Sequence, residues 1–184
     1  MGVGDIFEKA EGSRTGLEKL LDFIPGWKGY QTRQNRRKAD QRMRQVLARK
    51  LADQRRKLDV AQKELISHGR IDLVDDLGSA VTQLQTFIDR IRFASYGYSG
   101  LFDVVKINEA ELEQMYNFDA ELVGYVERLE AATGRLRETI PSGEGLIETI
   151  RIVQDICSEA NSTFDQREHL ILGDVQGAAE APSV

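Results

Sequence analysis

Apolar residues along this 184-residue chain recur three and four positions apart, and no period-2 run of strand length interrupts them. Five helical segments follow from that spacing. Residues 4–23 carry Ile6, Phe7, Ala10, Leu17, Leu20 and Leu21, with Ile24 just beyond, while Gly12 and Gly16 weaken the middle. Pro25 and Gly26 then break the pattern. Residues 30–67 place Met43, Leu47, Leu51, Leu58, Ala61 and Leu65 on one stripe, and no stripe precedes Ala39. Gly69, inside the short Ser67–Arg70 turn, stands where a helix end requires a positive φ.

Residues 71–95 hold Val74, Leu77, Val81, Leu84, Ile88 and Ile91 at spacing 3-4-3-4-3, the layout of a coiled-coil seam. Residues 108–140 begin with Asn108 and Glu111 in capping-box spacing. Their seam is Leu112, Met115, Leu122, Val126, Leu129, Leu136 and Ile140, with Asp119 and Thr133 interrupting it in frame. After the break around Pro141, residues 146–170 use Leu146, Ile150, Val153, Cys157, Ala160 and Phe164.

The predicted fold class is all-α: an antiparallel helical bundle in which a long basic helix forms a coiled-coil-like hairpin, preceded by a short amphipathic N-terminal helix. The expected organisation is residues 1–29 as amphipathic segment and turn, 30–172 as bundle, and 173–184 as a disordered tail. The single cysteine excludes an internal disulfide and fits a reducing compartment. No secretory signal, myristoylation pattern or membrane-spanning run is read, so the expected location is cytoplasmic, with membrane contact at the surface alone.

Charge sharpens this picture. Residues 28–57 contain 12 Lys and Arg against Asp40 and Asp53, about +10, in a chain of net charge −5; the remainder sums to about −15. The residues at 30–42 would overhang the shorter partner helix by roughly 20 Å at helical rise. An up-down-up-down topology brings the connection around residues 96–102 to the same end. Trp27, Lys28, Tyr30, Tyr96, Tyr98 and Phe102 would then gather beside Arg33, Arg36, Arg37, Lys38 and Arg42 as a basic-aromatic pole. Such a pole suits an anionic membrane surface, an acidic protein partner or a single nucleic-acid strand. The competing reading is a satellite core sealing the bundle end, its cations merely solvated.

Duplex DNA fits poorly, because Arg36, Arg37, Lys38, Arg49 and Arg56 point in several directions on a helical wheel, and the surplus of acids would repel phosphate. The segment at 108–140 holds eight acids against three arginines and could neutralise the basic helix within the fold or between copies.

Catalytic patterns are missing. No Walker loop, GxGxxG, HExxH, CxxC or GxSxG occurs, and neither His68 nor His169 belongs to a Glu-x-x-His pair. His68 reads as a helix C-terminal residue, and Cys157 as a small buried thiol. Neither enzyme activity nor a cofactor or metal is expected.

The stretch Phe23-Ile-Pro-Gly-Trp-Lys-Gly-Tyr30, continuing through Arg36-Arg-Lys-Ala-Asp40 to Arg42, resembles an uncharacterised family of bacterial all-helical proteins with an "IPGYxGY…RRxAD" signature. Trp27 stands where that signature has tyrosine. In layout alone, the chain is similar to phage-shock and ESCRT-III-like proteins. The expected function is a non-catalytic scaffold or adaptor whose pole contacts a membrane surface or an acidic protein. A nucleic-acid-binding accessory protein and a homo-oligomer held by charge complementarity are the alternatives.

Overall fold

In the computed structural model the described residues are 16–24, 26, 33–94 and 109–179, with side-chain surroundings for 16, 18–24, 26, 38–94 and 116–166. Five α-helices follow in order: α1 (Gly16–Phe23), α2 (Arg33–Ser67), α3 (Val74–Phe93), α4 (Glu109–Thr139) and α5 (Leu146–Ala179), with a 3-10 turn at Ile71–Leu73. No strand occurs among the described residues.

Cross-helix hydrogen bonds and ion pairs fix the register. Arg44 reaches the carbonyl of Ile91 and Gln62 that of Val74, so α2 and α3 are antiparallel. Tyr125 meets Thr163 and Arg128 meets Glu159, so α4 and α5 are antiparallel. Lys57 pairs with Glu130 and Glu64 with Arg137, so α2 and α4 run parallel with a constant offset of 73 (130 − 57 and 137 − 64). Gln154 and Asn161 donate to the carbonyls of Asp76 and Gln83, making α3 and α5 parallel as well. The result is an up-down-up-down four-helix bundle, with α2 diagonal to α5. The fifth helix, α1, lies on α4: a Cβ on Gly16 would come 2.9 Å from the carbonyl oxygen of Tyr116. Its other end touches α2, where the Lys50 ammonium sits 4.7 Å from the centre of the Phe23 ring.

The core follows the apolar stripes closely. Met43, Leu47, Leu51, Leu58, Ala61 and Leu65 are all buried, as are Leu122, Val126, Leu129, Leu136 and Ile140 and the six stripe residues of α5. Phe87 adds to the stripe of α3 and packs edge-on against Phe164, ring centres 6.1 Å apart. Leu20 on α1 and Ile24 just beyond it, four apart, are fully buried, and Leu21 is largely exposed. The turn after α2 takes the expected form: Gly69 has φ 72°, Arg70 N–H donates to Leu65 and Gly69 N–H to Ile66. The His68 ring supplements it, Nδ1 lying 2.8 Å from the carbonyl oxygen of Glu64.

Two boundaries differ from the pattern-based ones. α5 continues through Ala179, where the apolar spacing ends near residue 170, so the helix enters the stretch expected as a tail. The overhang of α2 is also less bare than its sequence implies. Arg44 bonding to Ile91 sets Phe93, the last residue of α3, level with residue 42 (44 + 91 − 93), so residues 33–41 do outrun α3. The offset of 73 sets Glu109 level with residue 36 (109 − 73), and the Tyr125–Thr163 pair sets Ala179 level with Glu109 (125 + 163 − 179). Two helices therefore accompany the basic stub that α3 leaves behind. Ala39 and Asp40 are already buried there.

Candidate functional site: a cationic stripe on helix α2

The basic-aromatic pole falls largely outside the described residues: Trp27, Lys28, Tyr30, Tyr96, Tyr98 and Phe102 are among those not described. Arg33, Arg36 and Arg37 lie on the first turns of α2, their side chains outside the described set. Lys38 and Arg42 are exposed, and four residues apart they share one face of the helix.

That face continues along α2 to Lys63. The burial of Met43, Leu47, Leu51, Leu58 and Leu65 turns one side of the helix into the bundle, which leaves Arg42, Arg49, Arg56 and Lys63 exposed on the other. Those four cations are spaced by sevens. Seven residues make nearly two turns with a drift of about 20°, so the charges form a slowly twisting line about 32 Å long. Sequence reasoning missed it because Arg36, Arg37 and Lys38 do scatter around the wheel, whereas Arg49 and Arg56 align with Arg42. The signal is the seven-residue recurrence itself, readable once the buried side is known.

The line is not uniformly positive. Asp53 sits between Arg49 and Arg56 and accepts from Arg56 Nη2 at 2.9 Å, with Lys57 Nζ 3.7 Å away. The Arg56 hydrogen bond, more than any other contact, holds the Asp53 carboxyl below the usual carboxylate range. Arg55 pairs with Asp59 at 3.6 Å. Two of the six large apolar side chains exposed among the described residues also belong to α2: Val60, 46% exposed, and Ile66, 53% exposed.

The far side of the bundle has the opposite sign. Asp72 in the 3-10 turn, Asp75 and Asp76 at the start of α3, and Glu148 and Asp155 on α5 are all exposed, outnumbering the exposed Arg92 and Arg151 of these helices. The molecule is thus polarised across its short axis, α2 edge against α3–α5 edge, as well as along the sequence.

Elsewhere among the described residues, the most prominent candidate groups are engaged in packing or pairing. A groove of about 350 Å³ runs between α1 and α4, lined by Gly16, Lys19, Glu121, Gly124 and Arg128 among others. Arg128 is committed: it donates to Glu159 at 2.7 Å and lies 5.2 Å from the Tyr125 ring centre. The Glu159 hydrogen bond leads in raising its pKa. Cys157 is fully buried on the α5 stripe, where burial pushes its thiol up to about 12. That environment suits packing rather than nucleophilic chemistry.

Fold and surface together define an all-helical four-helix bundle with an added N-terminal helix and a cationic edge on α2. Comparison of the chain with protein-family models, curated proteins and solved structures finds no match.

Proposed function

We propose that this protein is a non-catalytic helical adaptor that docks an acidic surface along the exposed edge of α2. The observation that carries the reading is the line of Arg42, Arg49, Arg56 and Lys63, exposed and repeated at heptad spacing on the side of α2 turned away from the described helices. Charges on a rigid helix are pre-organised, so docking them demands little ordering of the backbone. Their attraction operates within a Debye length of about 10 Å at 0.1 M salt. Lys38, exposed and four residues before Arg42, begins the same edge.

An anionic membrane and an acidic protein share the chemistry this edge would recognise. No helix among the described residues is long and apolar enough to cross a membrane, so a bilayer could be engaged at its surface only through such elements. Binding to poly-L-glutamate and to phosphatidylserine vesicles tests the reading, with wild type compared to Arg49→Glu/Lys63→Glu. The control is Arg135→Glu/Arg151→Glu, an equal charge change at exposed positions of α4 and α5. Salt-sensitive binding that the first pair abolishes and the second leaves intact is the expected result. Equal loss from both pairs would reduce the edge to general charge.

A further inference from the structure

Resting on the adaptor reading, we infer that the occupant of the α2 edge is an acidic amphipathic helix of a partner protein. Three features of the edge distinguish a helix from other anionic surfaces.

The first is the twist. Cations seven residues apart recur every 10 Å or so and rotate by about 20° at each step. A second helix wrapping α2 with left-handed supercoil tracks such a line, and acids at its flanking heptad positions would meet each cation in turn. A flat bilayer meets only the part of the line that faces it.

The second is what lies beside the cations. Val60, exposed, follows Arg56 by four residues on one flank of the line, while Ala52, half buried, and Ile66, exposed, follow Arg49 and Lys63 by three on the other. Apolar side chains flanked by charge are the ingredients of a helix–helix seam. Single-stranded nucleic acid is held by aromatic stacking, and the exposed positions between these cations (Gln45, Val60) offer no ring. Asp53, set between Arg49 and Arg56, would oppose an unbroken row of phosphates but is tolerated by a helix carrying both signs.

The third is a precedent inside the fold. On its neighbouring flank α2 already packs in parallel against the acid-rich α4, with Lys57 of α2 3.7 Å from Glu130 and, one heptad on and with the signs exchanged, Glu64 of α2 3.5 Å from Arg137. The outer edge offers the same chemistry to a second helix.

The test uses the full chain and a synthetic four-heptad peptide with leucine at the seam and glutamate at the flanking positions, its binding followed by fluorescence anisotropy. Phosphatidylserine vesicles and a single-stranded oligonucleotide are run alongside. The decisive variant is Val60→Lys, which adds a cation to the line while removing an apolar seam contact; circular dichroism confirms that it folds. The expected result is peptide binding weakened about tenfold both by Val60→Lys and by Arg49→Glu/Lys63→Glu. Peptide binding that Val60→Lys strengthens or leaves unchanged would overturn the helix proposal. Stripe-dependent binding of vesicles or oligonucleotide without the peptide overturns it too, yet leaves the adaptor reading standing with another occupant. Indifference of all three probes to Arg49→Glu/Lys63→Glu removes both.

Discussion

Arg44 and Asp40 form an ion pair inside the bundle, Nε to Oδ2 at 2.8 Å, with Asp40 2% and Arg44 6% exposed. The second arm of the guanidinium, Nη1, donates to the carbonyl of Ile91 at 3.3 Å. Ile91 lies in the last turn of α3, whose carbonyls lack partners within the helix and carry its negative dipole end. One arginine therefore neutralises a buried carboxylate and caps the neighbouring helix. It ties α2 to α3 where the shorter helix stops.

Asp40→Ala leaves that guanidinium buried without its carboxylate, at a cost of about 3–5 kcal/mol. Replacing both, Asp40→Leu with Arg44→Met, should recover most of the loss, because the paired desolvation disappears along with the pair. Urea denaturation of the three variants measures this. A double variant no more stable than Asp40→Ala would show that the cap on Ile91, and not the pair, holds the site.

The same pair marks what could be read in the sequence. The stripes name about two thirds of the buried apolar residues, because burial on a helix repeats at 3.6 and apolar residues announce it, while flanking positions such as Val123, Tyr125, Ile156 and several alanines fall beside them. Phe87 escaped the α3 seam because it lies beside the 3-4 frame, with Ala80 seven residues earlier, on a second strip that α3 turns toward α5. Asp40 and Arg44 were illegible for a different reason. Within a run of 12 cations, one acid and one base look like solvated surface, and only the register of α2 against Ile91 shows them inside. The free stub was inferred from α2 and α3 alone. Its companions come from how far α4 and α5 extend, and helix ends in weakly patterned sequence are set by tertiary context rather than by the stripe. The α2 edge became visible only when the buried face fixed which cations align.

The Cys157 thiol should be silent in the native protein. With its pKa pushed up to about 12 from an ordinary 9.0, its thiolate fraction near pH 8 falls about a thousandfold. Native protein is expected to react with a disulfide reagent only as fast as it unfolds. The linkage runs toward alkali. Above pH 9 the unfolded chain ionises its thiol while the folded chain does not, so stability declines as pH rises from about 9 toward 12. Cys157→Ala should flatten that decline, measured by denaturation at pH 8 and pH 10. An unaltered slope would place the alkaline loss on other groups.

Gly16 sets how closely α1 can lie on α4. A methyl there would stand 2.9 Å from the Tyr116 carbonyl oxygen and 3.1 Å from its carbon, backbone atoms that cannot swing aside. Gly16→Ala is therefore expected to lift the start of α1 while leaving the four-helix bundle intact. Overpacking of this kind costs about 1–3 kcal/mol. Here it should appear as faster amide exchange across 17–24 and little change in global unfolding. Exchange protection equal to wild type would mean the helix shifts to accommodate the methyl.

Thr133 tests the bundle interior most directly. It occupies a seam position of α4, is 1% exposed, and its Oγ1 has no hydrogen-bond partner among the described residues. A buried hydroxyl left unpaired carries a desolvation penalty of about 1–3 kcal/mol. Valine has nearly the same shape and no hydroxyl, so Thr133→Val should stabilise the fold by about 1 kcal/mol, with a rise in Tm of about 2–4 °C for a chain of this size. Thr133→Ser, which keeps the hydroxyl and deletes the methyl, should do the reverse. Opposite shifts from the two variants in a thermal melt would assign the seam interruption to polarity. Destabilisation by both would mean that the hydroxyl is satisfied in solution and that the threonine, like the leucines around it, belongs to the packing of α4 against its neighbours.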